Sequence, residues 1–298
     1  MACSKFDFED EMRLVLLGKT GGGKSSTGNC ILNENAFRVD IGGSSVTEKC
    51  CRRCTSRFGK YIHVLDTPGM FDTQTPNDTV LMEMSKCIAI TSPGPHAFLL
   101  VISVRNRFSQ EEKETIEKFV SYFGEEILKY FIVLFTGKDD LKRHNLSEEM
   151  YINKVPDSLK YILKKCDDRC IFFDNLATEE EKNQQVQRLI DMIDRNVRKN
   201  GSYFSNADYA AAEKAIEKVE KDILSQSKRE ERECHQGLDE EPNEQRNVRE
   251  QIRQQIEHED NWTIENIIKV VKVVGGIFIQ VLDFYYSAKR KGHVPDAL

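Results

Sequence analysis

A short apolar strand, Arg13–Gly18, runs into Lys19-Thr20-Gly21-Gly22-Gly23, and Lys24-Ser25-Ser26-Thr27 then opens a helix. No other feature constrains the fold as much as this strand, Gly-x4-Gly-Lys-Ser loop and helix. Main-chain N–H groups can surround anionic oxygens only where no Cβ intervenes, and Gly21, Gly22 and Gly23 remove that obstacle. The helix N-terminus adds a positive dipole end. Lys24 is placed to reach the β- and γ-phosphates of a nucleotide and the Ser25 hydroxyl to ligate Mg²⁺. Gly18, Lys19, Thr20 and Ser26 complete the expected phosphate-binding set.

Three further stretches fit a nucleoside triphosphate. His63-Val64-Leu65-Asp66-Thr67-Pro68-Gly69 sets Asp66 at the end of an apolar strand, where a carboxylate holds Mg²⁺ through water. The Gly69 N–H is placed to sense the γ-phosphate. Between these motifs, Thr47 stands in a loop that offers Mg²⁺ a second hydroxyl. Phe135-Thr136-Gly137-Lys138-Asp139-Asp140 follows another buried strand. Guanine presents two N–H donors on one edge, a carboxylate accepts both, and adenine lacks the pair; Asp140 is therefore the expected guanine reader. The Lys138 stem is expected along the base plane. Gly137 stands where the usual pattern has Asn, which removes a side chain that ties this loop to the phosphate loop.

Strand-like runs alternate with helical patterns through the first two hundred residues. Ala97–Val104, Tyr130–Thr136 and Cys170–Phe173 are near-continuous apolar runs, as strands covered on both faces are. Cys51 to Thr67 is expected to form two strands joined at a Gly59-Lys60 turn. Ser109 with Glu112 forms a capping box for a helix ending at Gly124, Pro156 interrupts a later helical stretch, and 178–200 is periodic. The pattern predicts an α/β fold: a P-loop GTPase with a mostly parallel sheet, helices on both faces and an α-helical C-terminal extension. The expected divisions are a tail over 1–11, the G domain over 12–200, a charged helical extension over 201–260 and an apolar helix with a basic tail over 261–298.

From Asn206 to Asp260, 25 of 55 residues are charged, with a thin apolar stripe that includes Ala210, Ile216 and Val219. Gly237 and Pro242 break it into two helices. Either a solvated helix leaning on the first domain or a coiled-coil, partner-binding arm fits it. Trp262–Lys291 is the most apolar stretch, yet its longest uncharged run is the ten residues Val273–Leu282, short of a full span. A packed helix, a membrane-surface helix and a spanning helix stay open, with Trp262, Tyr285, Tyr286 and Lys289 as interfacial anchors for the second.

A net charge of -6 argues against general affinity for nucleic acid. The acidic start, without an apolar leader, leads us to expect a reducing cytoplasm, on the cytosolic face of an intracellular membrane if the tail helix is a membrane helix. The nine cysteines are then free thiols; the Cys51/Cys54 and Cys166/Cys170 spacings are too loose for a convincing zinc site.

Taken together, Gly18–Asn29, the Asp66–Gly69 motif and Thr91–Glu112, with its Pro93-Gly94-Pro95-His96 run, resemble the immunity-associated (GIMAP) GTPase family, a septin- and Toc-related branch of P-loop GTPases. The likeness covers about Met12 to Asn200. It implies a GTP/GDP switch that self-associates, with itself or with related GTPases, when GTP-bound. It implies that Asn175 contacts the base; the family's Phe-Asn-Asn is here Phe173-Asp174-Asn175, which leaves the part of Asp174 open. It also aligns Arg107 with an arginine that reaches a partner's phosphates, Arg105 being the second candidate. Met70 and Phe71 follow Gly69, where a water-orienting Gln stands in Ras-like enzymes, so slow turnover by a lone monomer is expected. The competing expectation is a GTP-binding membrane scaffold that does not hydrolyse; an adenine-nucleotide kinase finds no lid or substrate motif to support it.

Overall fold

The computed structural model describes residues 11–39, 49–68, 77–233 and 242–258. The expectations for Thr47, Gly69, Met70, Phe71 and Trp262–Lys291 lie outside them. Six strands form one sheet in the order β2-β3-β1-β4-β5-β6. They are β1 (Glu11–Leu17), β2 (Cys51–Arg57), β3 (Lys60–Asp66), β4 (Ala97–Ser103), β5 (Phe131–Thr136) and β6 (Cys170–Phe173). Only the β2–β3 pairing is antiparallel. This is the mostly parallel sheet that the apolar runs required.

Every residue of β4 and β5 is buried. Helices α1 (Lys24–Leu32) and α7 (Glu179–Asn200) share one core cluster with the sheet, built on Leu14, Leu16, Ile31, Leu99, Val101, Leu134, Phe173, Leu189 and Ile193. A second cluster joins Phe98 and Phe131 of the sheet to Phe119 and Phe123 of α3 (Gln110–Phe123), with ring centroids 4.6 to 5.8 Å apart between neighbours. Burying each such ring is worth about 1.5–3 kcal/mol.

Local signals account for most element ends. Ser109 Oγ accepts from the Glu112 N–H while Glu112 Oε2 accepts from the Ser109 N–H, and α3 stops at Gly124, as expected. Thr178 and Glu181 repeat this device at the start of α7. Pro156 separates α5 (Glu148–Lys154) from α6 (Asp157–Lys165); α4 (Lys138–Arg143) precedes them. Two readings are corrected. The β2–β3 turn is Phe58-Gly59, not Gly59-Lys60, because Arg57 pairs with Lys60 and both turn residues take positive φ, 54° and 72°. Helix α2 (Asn77–Thr91) was not expected; its buried Met84, Cys87, Ile88 and Ile90 hold it to the core.

At the amino end of β4, Pro93–His96 is fastened to β1. The Arg13 N–H donates to His96 Nδ1 at 2.9 Å, the His96 N–H donates to Arg13 O at 2.8 Å, and Arg13 Nε donates to Gly94 O at 2.7 Å. A Cβ on Gly94 would lie 1.8 Å from Phe204 O, so only glycine fits. Burial, then the Arg13 charge, push the His96 pKa down to about 3. The motif that carried the resemblance is thus a packing device here, at the opposite end of the sheet from the phosphate loop.

The chain divides into two compact units between Ser205 and Asn206. In the second, α8 (Ala207–Glu233) and α9 (Pro242–His258) pack on each other. Arg249 Nη2 bonds Glu213 Oε1 at 2.8 Å and Glu220 Oε2 at 3.0 Å, and Ile216, Val248, Ile252 and Ile256 are buried. The two helices expected on either side of Gly237 and Pro242 are thus paired with each other. Among the described residues, no helix is long and apolar enough to cross a membrane.

Candidate functional site

Strand β1 pairs with β3 on one side and β4 on the other, and chain order reverses across it. Ligands of open α/β sheets bind at the carboxyl ends of strands at such a switch point. Gly18 lies there, immediately after β1. It has φ 140°, and a Cβ on it would sit 2.4 Å from Val101 O. The loop therefore presses on β4 as only a glycine permits. Gly23 ends the loop at φ 93° and caps α1 without a side chain, leaving the first N–H groups of the helix facing the loop.

Within this cradle Lys24 folds back, and its Nζ donates to Gly18 O at 2.8 Å and Lys19 O at 3.1 Å. The ammonium is thereby held over the loop centre on a stem that is 6% exposed. Lys19 Nζ lies 3.4 Å from Glu112 Oε2, which ties the loop to the start of α3. Ser25 Oγ donates to Asp66 Oδ2 at 2.7 Å, across 41 residues of sequence. A hydroxyl and a carboxylate so close form a hard-oxygen donor pair, which suits Mg²⁺ and leaves places for its waters. Thr67 Oγ1 donates to Leu16 O at 2.6 Å and fixes the chain just past Asp66.

The base end is built differently. Strand β5 delivers Thr136, then Gly137 at φ 86°, then α4. Lys138 Nζ pairs with Glu148 Oε1 at 2.6 Å. Asp140 is met by two guanidiniums: Arg105 Nε on Oδ2 and Arg143 Nη1 on Oδ1, the latter at 3.0 Å. Hydrogen bonding from Arg105 holds the Asp140 carboxyl below its ordinary range. Asn175 follows β6; its Nδ2 reaches Thr27 Oγ1 at 3.5 Å, and its buried Oδ1 has no hydrogen-bond partner among the described residues.

Two residues that sequence reasoning passed over hold this end together. Thr136 Oγ1 donates to Gly22 O at 2.8 Å, so the tie to the phosphate loop survives the missing Asn, one residue earlier than expected. Gln185 of α7 grips the Asp174 main chain at both groups: Oε1 accepts from Asp174 N–H at 2.7 Å, and Nε2 donates to Asp174 O at 3.3 Å. The Asp174 side chain accepts from the Leu176 N–H at 3.0 Å, so it shapes the turn that carries Asn175. Arg107, by contrast, is exposed on the stretch after β4 and makes no hydrogen bond or ion pair among the described residues. Burial pushes the Cys30 thiol up to about 11 and those of Cys87 and Cys166 up to about 12, which keeps them protonated.

The model of the AIG1 family matches residues 12–223. Immune-associated nucleotide-binding protein 4 of Arabidopsis thaliana is 41% identical over 181 residues, 59% of this chain and 55% of that protein. Immune-associated nucleotide-binding protein 9 of the same plant is 41% identical over 190 residues, 63% of this chain and 55% of its own. The chain thus spans about half the length of these relatives. Among solved structures, Toc33 from Arabidopsis thaliana in complex with GDP and Mg²⁺ has a TM-score of 0.53 at 21% identity, covering 66% of this chain and 88% of that one. A chloroplast translocon structure, of work on how dimerisation matters for the GTPase activity of atToc33 and psToc159, gives 0.51 at 21% identity, covering 63% and 83%. At that identity the likeness is one of fold.

Proposed function

The chain belongs to the AIG1 family, and on that premise we propose that it is a guanine-nucleotide switch that binds GTP and GDP with Mg²⁺ and self-associates through its G domain. One observation carries the reading: Ser25 and Asp66 meet at 2.7 Å beside a lysine folded over a glycine cradle. Backbone donors, one buried ammonium and a hard-oxygen pair are together what a magnesium triphosphate needs. That the relatives are called nucleotide-binding, and that Toc33 was solved with GDP and Mg²⁺, agrees with it.

Each residue then has a part. Gly18 to Gly23 bring main-chain N–H groups against phosphate oxygens, with Lys19, Thr20 and Ser26 at the margin. Lys24 turns from the loop carbonyls to the β- and γ-phosphates. Ser25 and Asp66 hold Mg²⁺, with Thr47 as a further hydroxyl and Gly69 as the γ-phosphate sensor. Bound there, the ion neutralises charge developing between the β- and γ-oxygens. Asp140 accepts the guanine N1–H and N2–H, Lys138 lines the base, and Asn175 brings a buried carbonyl oxygen with no partner of its own.

Turnover is slow in the lone molecule, since neither Met70 nor Phe71 can orient a water. A second copy supplies Arg107, whose exposed guanidinium is available for that role. An arginine so placed is worth about three decades or more in rate. The same Met70 favours a second reading, a GTP-binding scaffold that does not hydrolyse, with Trp262–Lys291 as its membrane contact. Calorimetry with GDP, GTP and ATP tests the first step; a preference for ATP refutes it. Hydrolysis measured against protein concentration then separates the readings. A rate per molecule that climbs with concentration and collapses in Arg107→Ala supports the switch; a flat, near-zero rate with tight GTP binding supports the scaffold.

A further inference from the structure

Guanine reads a carboxylate with two N–H donors separated by one carbon. The Nε–Cζ–Nη2 edge of an arginine has the same construction. In this molecule one N–H of such an edge already meets the base-reading carboxylate, Asp140, and the other meets its neighbour Asp139. Arg105 Nε bonds Asp140 Oδ2, and Arg105 Nη2 bonds Asp139 Oδ2 at 3.1 Å and Oδ1 at 3.3 Å.

The main chain prepares this contact. The Val104 N–H donates to Thr136 O at 2.9 Å, which fixes the residue before Arg105 to the end of β5. A turn follows, with the Arg105 N–H on Ser103 Oγ and the Asn106 N–H on Ser103 O, both at 3.3 Å. The Arg105 stem then crosses Gly137: a Cβ there would lie 3.6 Å from both Arg105 Cγ and Nε, and 3.0 Å from Val104 Cγ2. The stem thus passes Gly137 at ordinary contact distance, while the positive φ and the close Val104 methyl are what call for glycine there.

We propose that Arg105 is an internal competitor for the base: its guanidinium and guanine claim the same carboxylate, Asp140, and a guanine nucleotide binds as Arg105 leaves. The inference rests on the assignment of Asp140 as the guanine reader. Its side chain is 20% exposed and that of Arg105 52%, so the pair is within reach of both solvent and ligand. Exchange between partners of like construction keeps the carboxylate paired throughout. Departure also frees a second guanidinium two residues from Arg107.

The competition has a magnitude. Apparent affinity falls by the fraction of molecules whose Asp140 is open. An exposed charged network of this kind favours the closed form by about two- to fivefold. Binding of GDP, ADP and xanthosine diphosphate by calorimetry tests it in the wild type, Arg105→Ala, Arg105→Gln and Asp140→Asn. Arg105→Ala should tighten GDP about three- to sixfold while ADP stays within twofold, and the gain should shrink as salt is raised. Arg105→Gln keeps a stem over Gly137 without the charge and should gain equally. GDP binding that is unchanged or weaker in Arg105→Ala overturns the proposal, because Arg105 would then orient Asp140 rather than compete for it. A gain in Arg105→Ala that Arg105→Gln lacks also overturns it. Asp140→Asn separates this failure from that of the base assignment. Its amide can donate to the C2 carbonyl of xanthine, so a shift from GDP to xanthosine diphosphate upholds the assignment. No shift removes both claims.

Discussion

The two ends of the nucleotide site are made of different material. At the phosphate end the parts are main chain and buried side chains: Gly18 pressed on Val101, Lys24 over two loop carbonyls, Ser25 on Asp66. At the proposed base end the carboxylates of Asp139 and Asp140 lie near the surface, each shared between two guanidiniums. Steric fit without a Cβ has one solution, so the phosphate end is fixed before any ligand arrives. Surface charges have several partners of similar worth, so the base end can exchange them. Affinity should reside at the first end and regulation at the second.

That division breaks most easily at Lys24. Lys24→Ala removes charge-assisted bonds worth about 1.5–3 kcal/mol each. GTP and ATP should both weaken by about 100-fold, with their ratio unchanged. Calorimetry with both nucleotides checks this, and chelation of Mg²⁺ should act in the same direction for the same reason. If Lys24→Ala altered the ratio instead, the two ends would not be separable.

Asp140→Asn comes next. It should cost GDP about 10- to 100-fold while leaving ADP within a few-fold, since only guanine uses the carboxylate. Competition of ADP against labelled GDP measures it. Equal losses for the two bases would move the reading group elsewhere.

How much of this was legible follows from how local each signal is. The glycine loop, its lysine and its serine are contiguous, and their chemistry is stated by residue type alone. Asp66 was legible from the apolar strand before it, and the capping box at Ser109 from its three-residue spacing to Glu112. Thr136 was not, because a threonine at a strand end has no assigned duty until the sheet register brings it to Gly22, 114 residues away. Gln185 looked like one more polar residue on a charged helix; burial at 3% exposure and the two bonds to Asp174 exist only in the folded chain. Arg105 and Arg107 were equally legible as arginines, and only the loop geometry sends one of them to Asp140. The pairing of α8 with α9 depends on Arg249 meeting Glu213 and Glu220, a contact that the thin apolar stripe does not announce.

Gln185→Leu asks whether the base end also has a buried part. The substitution leaves the Asp174 N–H and C=O without their partner, at about 1–3 kcal/mol for each group. Urea unfolding should show a loss of about 2 kcal/mol or more. GDP should weaken severalfold, as Asn175 loses its fixed turn, and pyrophosphate should be unaffected. A stable variant with normal GDP binding would mean that Asp174 shapes the turn through its own side chain alone.

The smallest effect tests the bond by which the end of β5 reaches the phosphate loop. Thr136 Oγ1 donates to Gly22 O, and both Oγ1 and Cγ2 lie 3.2 Å from where a Gly23 Cβ would be. Thr136→Val keeps that shape and removes the donor. The bond itself is worth about 1 kcal/mol, which for a domain of this size shifts Tm by about 2–4 °C. If the bond serves the phosphate loop, by fixing the plane of the Gly22 peptide, GDP and ADP should both weaken about two- to fivefold and keep their ratio. If it serves the base loop, the ratio should fall while pyrophosphate binding stays constant. The first outcome is expected, because the acceptor lies in the loop that must hold one conformation, whereas the donor strand is already secured by its pairing with β4 and β6.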